Sequence, residues 1–141
     1  MKDPHQLKRF VSAQALSYRN AFEEVKSGKK TSHWMWFIFF QFKGLGNSAF
    51  SIKYSIKSRE EAKAYLDHTT LGPRLKEITS ALLLIEDKTA LEVFGSPDDI
   101  KLKSSMTLFN EIIEGYNVFN EVLQKYFGGE KCLKTLGLLD K

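Results

Sequence analysis

Residues with chemical potential recur in three separated stretches of this sequence. In SHWMWFIFFQFKGLG (32–46), His33 stands before Trp34, Met35 and Trp36, and Gln41 closes the ring-rich run. A lone imidazole beside apolar residues is ordinarily a satisfied polar group or a helix cap. Next to tryptophan it can also contact a ligand, because each indole couples a large apolar face to one N–H. Two tryptophans two residues apart point to different sides of a helix, so at least one should face a cleft or a neighbouring helix. In REEAKAYLDHTTLGPRL (59–75), Glu61, Tyr65 and His68 fall on one helical face at four- and three-residue steps. A carboxylate and an imidazole on one face can do acid–base work, although capping and solvent exposure explain the same residues. Arg74, just behind Pro73, would lie near the positive end of a helix dipole, where a cation does not help the helix. A guanidinium facing a phosphate or carboxylate would justify that position, as would an ordinary salt bridge. In SPDDIKLKSSMTLF (96–109), Asp98 and Lys101 can pair at a three-residue step, and Lys101, Ser104 and Thr107 share a face. Mid-helix hydroxyls need partners if buried. They bond to neighbouring helices or they line a polar cleft.

Other chemistries find no support. GLGNSAF lacks the lysine and the preceding strand of a phosphate loop. His5, His33, His68 and Cys132 fit no metal spacing, and Cys132 has no base near it in sequence. No cofactor is expected. Six of the eighteen aromatic residues lie between Trp34 and Phe42, yet the run is far shorter than the roughly 20 apolar residues of a membrane span. The N-terminus lacks the apolar region of a secretory signal. A single cysteine suits a reducing compartment, so a cytoplasmic protein is expected.

The elements that must position these residues read as helical throughout. Asp3-Pro4 begins an amphipathic stripe of Leu7, Phe10, Val11, Gln14, Tyr18, Ala21, Phe22 and Val25 that stops at Gly28. The aromatic run follows as a central buried helix, broken at Gly44-Leu45-Gly46, with 47–57 as a connection. Ser58-Arg59-Glu60-Glu61 is a capping-box pattern for a short helix to about His68. Further helices are expected from Leu71-Gly72-Pro73, over Ala90–Phe94, from Ser96-Pro97 toward Gly115, over Tyr116–Phe127, and near Cys132–Leu139. The expected fold is all-α, an irregular bundle of roughly six to eight helices around one core, in a single domain over 1–141.

Net charge is +4, and its location matters more than its size: residues 1–30 carry seven basic and three acidic side chains, the remainder fourteen of each. A solvated helix face explains the excess. Nucleic-acid surfaces add exposed aromatics or a groove-binding helix motif, and neither is evident. Nucleic acid and membrane are therefore not expected partners.

Taken in order, SHWMWFIFFQFKGLG, REEAKAYLDHTTLGPRL and DDIKLKSSMTLF resemble the domain of unknown function 1810 family. Its pattern runs Ser-His-Trp-Met-Trp-Phe-Ile-Phe-Pro-Gln, then Glu-Ala with Tyr-Leu and Leu-Gly-x-Arg-Leu, then Asp-x-x-Lys with Ser-Ser-Met-Thr-Leu-Phe. The resemblance extends from Phe10 to about Phe127 and implies an all-α cytosolic domain without an established activity. Phe40 replaces the family's proline, which would permit another helical turn before Gln41. More distantly, the motif order is similar to the NADAR family, helical proteins linked to ADP-ribose derivatives and N-glycosidic bond hydrolysis. That similarity implies a pocket for a nucleotide-like small molecule made of His33, Trp34, Trp36, Gln41, Arg74, Lys101, Ser104 and Thr107. Glu61 or Asp98 would then stabilise or help generate an attacking water. The alternative is a non-enzymatic module that binds protein or nucleic acid through its basic N-terminal helix.

Overall fold

The computed structural model describes residues 3–45, 52–115 and 117–140, apart from the side chain of Trp36. The fold is all-α. Its helices are α1 (Lys8–Gln14), α2 (Tyr18–Ser27), α3 (Met35–Ile38), α4 (Arg59–Asp67), α5 (Leu71–Leu83), α6 (Ala90–Phe94), α7 (Asp98–Ile112), α8 (Val118–Phe127) and α9 (Leu133–Leu139). Helix α7 packs against α4, α6, α8 and α9, while α5 packs against α2, α4 and α8.

Local chemistry explains most of the boundaries. The Ser58 hydroxyl accepts from the Glu61 N–H and starts α4; Thr89 and Glu92 form a full capping box on α6; Asn117 caps α8. Gly28 (φ 82°) and Gly128 (φ 63°) end α2 and α8 in the left-handed conformation that glycine adopts without steric cost. Gly72 answers a different need. A Cβ there would come within 2.1 Å of the Leu66 carbonyl oxygen, so the first turn of α5 can meet the last turn of α4 only through glycine.

Two expectations need correction. The first stripe is two helices, not one: the chain turns at Ala15–Ser17, leaving Leu16 exposed, and the Asp3 carboxylate accepts from Leu7 and Lys8 N–H groups so that α1 starts at Lys8. The turn lets Phe10 and Gln14 face one part of the core while Ala21 and Val25 face another. The aromatic run is not a central helix either. Helix α3 covers only Met35–Ile38, and the backbone is extended from Phe39 (φ −110°, ψ 89°), reaching a parallel bridge between Phe42 and Ile56. Extended backbone sends consecutive side chains to opposite sides. Phe39 meets Trp34 and Phe94 with ring centroids at 6.2 and 6.0 Å, whereas Phe40 meets Phe10 at 4.3 Å and Tyr65 at 5.2 Å. Both rings are thereby fully buried, and Phe40 adds no helical turn. The central helix is instead α7, buried on nearly every side from Leu102 to Asn110. Finally, the break at Gly46 and the connection over 46–51, like Tyr116, lie outside the described residues.

Candidate functional site

The structure distributes the chemistry-bearing residues over four separate clusters. In the first, the Glu24 carboxylate, buried at the end of α2, accepts from Thr31 N–H (2.7 Å), Ser32 N–H (2.9 Å), Ser32 Oγ (2.6 Å), Trp34 Nε1 (2.8 Å) and Asn20 Nδ2 (3.0 Å). Burial opposes ionisation, but hydrogen bonds led by Ser32 outweigh it and hold the carboxyl at a pKa of about 2. Trp34 is thus fixed by a carboxylate and by Phe39 and Phe94, and is 2 % exposed. Beside it, Lys30 Nζ lies 5.3 Å from the Trp34 ring centroid and pairs with Asp98 at 2.9 Å; Asp98 also reaches Lys101 at 3.4 Å. The expected Asp98–Lys101 step is present, and Lys30 completes it. His33 is exposed. The Trp36 side chain lies outside the described residues.

The second cluster holds Glu61. Arg9 donates to the carbonyl oxygens of His5, Gln6, Lys53 (3.0 Å) and Ser55 (3.2 Å) and to Glu61 Oε1, while Glu61 Oε2 accepts from the Lys57 N–H at 3.1 Å. A cleft of about 290 Å³ beside them is lined by Pro4, His5, Gln6, Lys57 and Ser58 as well as the pair itself. His68 does not join Glu61: its Nδ1 accepts from Thr70 and Leu71 N–H groups, capping α5. The shared face therefore breaks up into a clasp, a core tyrosine and a helix cap.

In the third cluster, Thr107 Oγ1 donates to the Lys103 carbonyl (2.8 Å) and accepts from the Cys132 N–H (3.0 Å), and Ser104 Oγ donates to the Ile100 carbonyl (3.2 Å) and lies 3.4 Å from Cys132 Sγ. Burial pushes the Cys132 thiol up, yet hydrogen bonds led by Ser104 bring it below its ordinary value. Both hydroxyls tie α7 to the chain leading into α9. They bond to the protein and are not brought to the aromatic run.

The fourth cluster surrounds Arg74. The Gln14 side chain, 2 % exposed, donates from Nε2 to the Phe37 carbonyl (2.8 Å) and to Tyr65 Oη (2.9 Å). A carbonyl oxygen can only accept, so these contacts fix the amide's orientation and turn Oε1 toward Arg74 Nη1 at 3.3 Å. The Arg74 guanidinium lies 5.4 Å from the Tyr18 ring centroid, and Tyr18 stacks on Phe22 at 6.2 Å and 23°. Tyr18 Oη donates toward the Arg74 carbonyl (3.0 Å) and Glu77 Oε1 (2.5 Å). Burial, then Glu77, push the Tyr18 phenol far up, and burial does the same to Tyr65, so both stay protonated. Among the described residues, the Arg74 side chain makes the single hydrogen bond to Gln14 and has no carboxylate partner.

Sequence reasoning singled out Arg74 but not its setting. Gln14 on an apolar stripe is the signal that was there to read: a buried amide must find partners, so such a residue marks an internal network. Gln41 is half-buried, and its carbonyl accepts from the Ile56 N–H at 3.0 Å. Among the described residues no group of three or more His, Cys, Asp or Glu could hold a metal ion, and no helix is long and apolar enough to cross a membrane.

Against known proteins, residues 4–139 match the model of a family described as a protein of unknown function, DUF1810. The chain belongs to that family. The crystal structure of a conserved hypothetical protein from Mycobacterium tuberculosis, Rv1873, is similar at a TM-score of 0.96 and 48% identity, over 99% of each chain. No curated protein is significantly similar.

Proposed function

We propose that this DUF1810 domain binds an anionic, nucleotide-like small molecule, with Arg74 holding the anion. One observation carries the reading: Arg74 is a half-buried cation on α5, oriented by a locked amide and an aromatic face, with no carboxylate among the described residues to neutralise it. A guanidinium offers five N–H donors in a fixed fork suited to phosphate or carboxylate. The first turn of α5 adds the positive end of a helix dipole, which disfavours the arginine itself but favours an anion bound beside it. Tyr18 and Phe22 supply half-exposed ring surface alongside. The distant similarity to NADAR proteins supports the same ligand class. Glu61 and Asp98, the carboxylates considered for that step, are each held by cations.

Arg9 and Lys30, two of the seven cations of the basic N-terminal region, are drawn into internal ion pairs, which supports the small-molecule reading over an interaction surface there. A thermal-shift screen against NAD, ADP-ribose, nucleotides and sugar phosphates, read together with tryptophan fluorescence, tests the proposal. Ligand at 100 times its dissociation constant should add about 2.7 kcal/mol of stability. The increment should vanish in Arg74→Ala. Silence across the panel, or an increment indifferent to Arg74, would overturn the reading.

A further inference from the structure

Resting on that reading, we propose that Glu77 sets the ligand class: the site takes a phosphorylated ribose whose vicinal hydroxyls donate to the Glu77 carboxylate while the phosphate lies on Arg74. The two charges belong to one arrangement. Glu77 follows Arg74 by three residues on α5, so the side chains are neighbours on its surface, yet they do not pair with each other. Tyr18 stands between them. Its ring face carries the guanidinium at 5.4 Å and its hydroxyl holds Glu77 Oε1 at 2.5 Å. An ionised carboxylate has about four acceptor positions. Tyr18 fills one, and among the described residues Glu77 has no cationic partner.

The cluster therefore offers donors at one end and acceptors at the other, across a ring. A simple anion satisfies only the Arg74 end. A ribose phosphate satisfies both, because adjacent hydroxyls are paired donors that a carboxylate accepts, as the acidic residue of dinucleotide sites does with ribose. Glu77 itself is exposed while Tyr18 and Arg74 are half-buried, so a ligand can approach from solvent. Tyr18 remains protonated, so its hydroxyl donates to Glu77 Oε1, and among the described residues Glu77 Oε2 accepts no hydrogen bond.

Isothermal titration of the full chain with adenosine monophosphate, its 2′-deoxy form and inorganic phosphate tests this. A hydrogen bond to a charged group corresponds to roughly tenfold or more in affinity. The ribose form should bind about tenfold more tightly than the deoxy form. Glu77→Gln, which can still accept from Tyr18, should erase that preference without weakening phosphate binding, because it removes a negative charge beside Arg74. Equal binding of the two nucleotides by the unaltered protein, or a preference that survives Glu77→Gln, would overturn the assignment while leaving the anion reading intact. Phosphoethanolamine binding more tightly than adenosine monophosphate, with sensitivity to Glu77→Gln, would replace the diol with an amine. No binding of any of them would overturn both.

Discussion

Among the described residues, Arg9, on α1, reaches five oxygens, four of them backbone carbonyls and one the carboxylate of Glu61; Arg74, on α5, reaches one. The difference separates two uses of one side chain. Around Arg9 the donors are all answered by the protein, across sequence separations as large as 52 residues, so the guanidinium closes the fold. Around Arg74 the protein does the opposite: it fixes the cation with Gln14 and Tyr18, and among the described residues no carboxylate comes within ion-pair distance of it. Buried cations without anions are costly. A half-exposed cation with no ion pair among the described residues is where the proposed anion would gain most.

The comparison breaks most visibly at the clasp. Arg9→Ala leaves Glu61, 3% exposed, as an uncompensated buried charge, and should cost about 3–5 kcal/mol in urea unfolding. A loss under 1 kcal/mol would put Arg9 in the same category as Arg74. Glu24→Gln should cost about 3 kcal/mol at pH 7, because its pKa of about 2 lies well below the ordinary 4.5 and one unit is worth about 1.4 kcal/mol. The sign follows from the depressed folded-state value: the stabilisation is full above the unfolded pKa and is lost as pH falls through the folded one. The gap between Glu24→Gln and the unaltered protein should therefore close between about pH 5 and pH 2, and a gap independent of pH would refute the assignment. Gly72→Ala forces a Cβ to 2.1 Å from the Leu66 carbonyl oxygen, and the shift should cost about 1–3 kcal/mol. Smallest in stability is Arg74→Ala. It takes a 3.3 Å hydrogen bond from the buried Gln14 Oε1, so it should cost about 1 kcal/mol of unfolding free energy while cutting anion affinity at least about tenfold.

The same contrast shows what the sequence made legible. Helix boundaries with local chemistry could be read directly: Ser58 ahead of α4, Gly72-Pro73 within the first turn of α5, Gly95 after α6 and Gly128 after α8 all act through neighbouring residues. Arg74 was legible as an arginine misplaced on its helix dipole. What sequence could not give was set by distant partners. Phe39 and Phe40 part company because Phe94 and Tyr65 lie on opposite sides of them, and no periodicity in a uniformly apolar run encodes that. Glu61 and His68 share a helical face in sequence, yet Arg9 takes the first and the N–H groups of Thr70 and Leu71 take the second. Ser104 and Thr107 were expected either to pack or to line a cleft, and both meet Cys132, on the chain entering α9, whose Sγ accepts from Ser104 and whose N–H donates to Thr107.

The most direct test sets the two arginines side by side. Urea unfolding of Arg9→Ala and Arg74→Ala would be followed at pH 7, each without and with adenosine monophosphate in large excess. If Arg9 closes the fold and Arg74 holds the ligand, Arg9→Ala loses several kcal/mol but keeps the ligand increment of about 2.7 kcal/mol at 100 times the dissociation constant, whereas Arg74→Ala loses only about 1 kcal/mol of baseline and all of the increment. A ligand increment retained in Arg74→Ala, or an equal loss of baseline stability in both variants, would contradict the account.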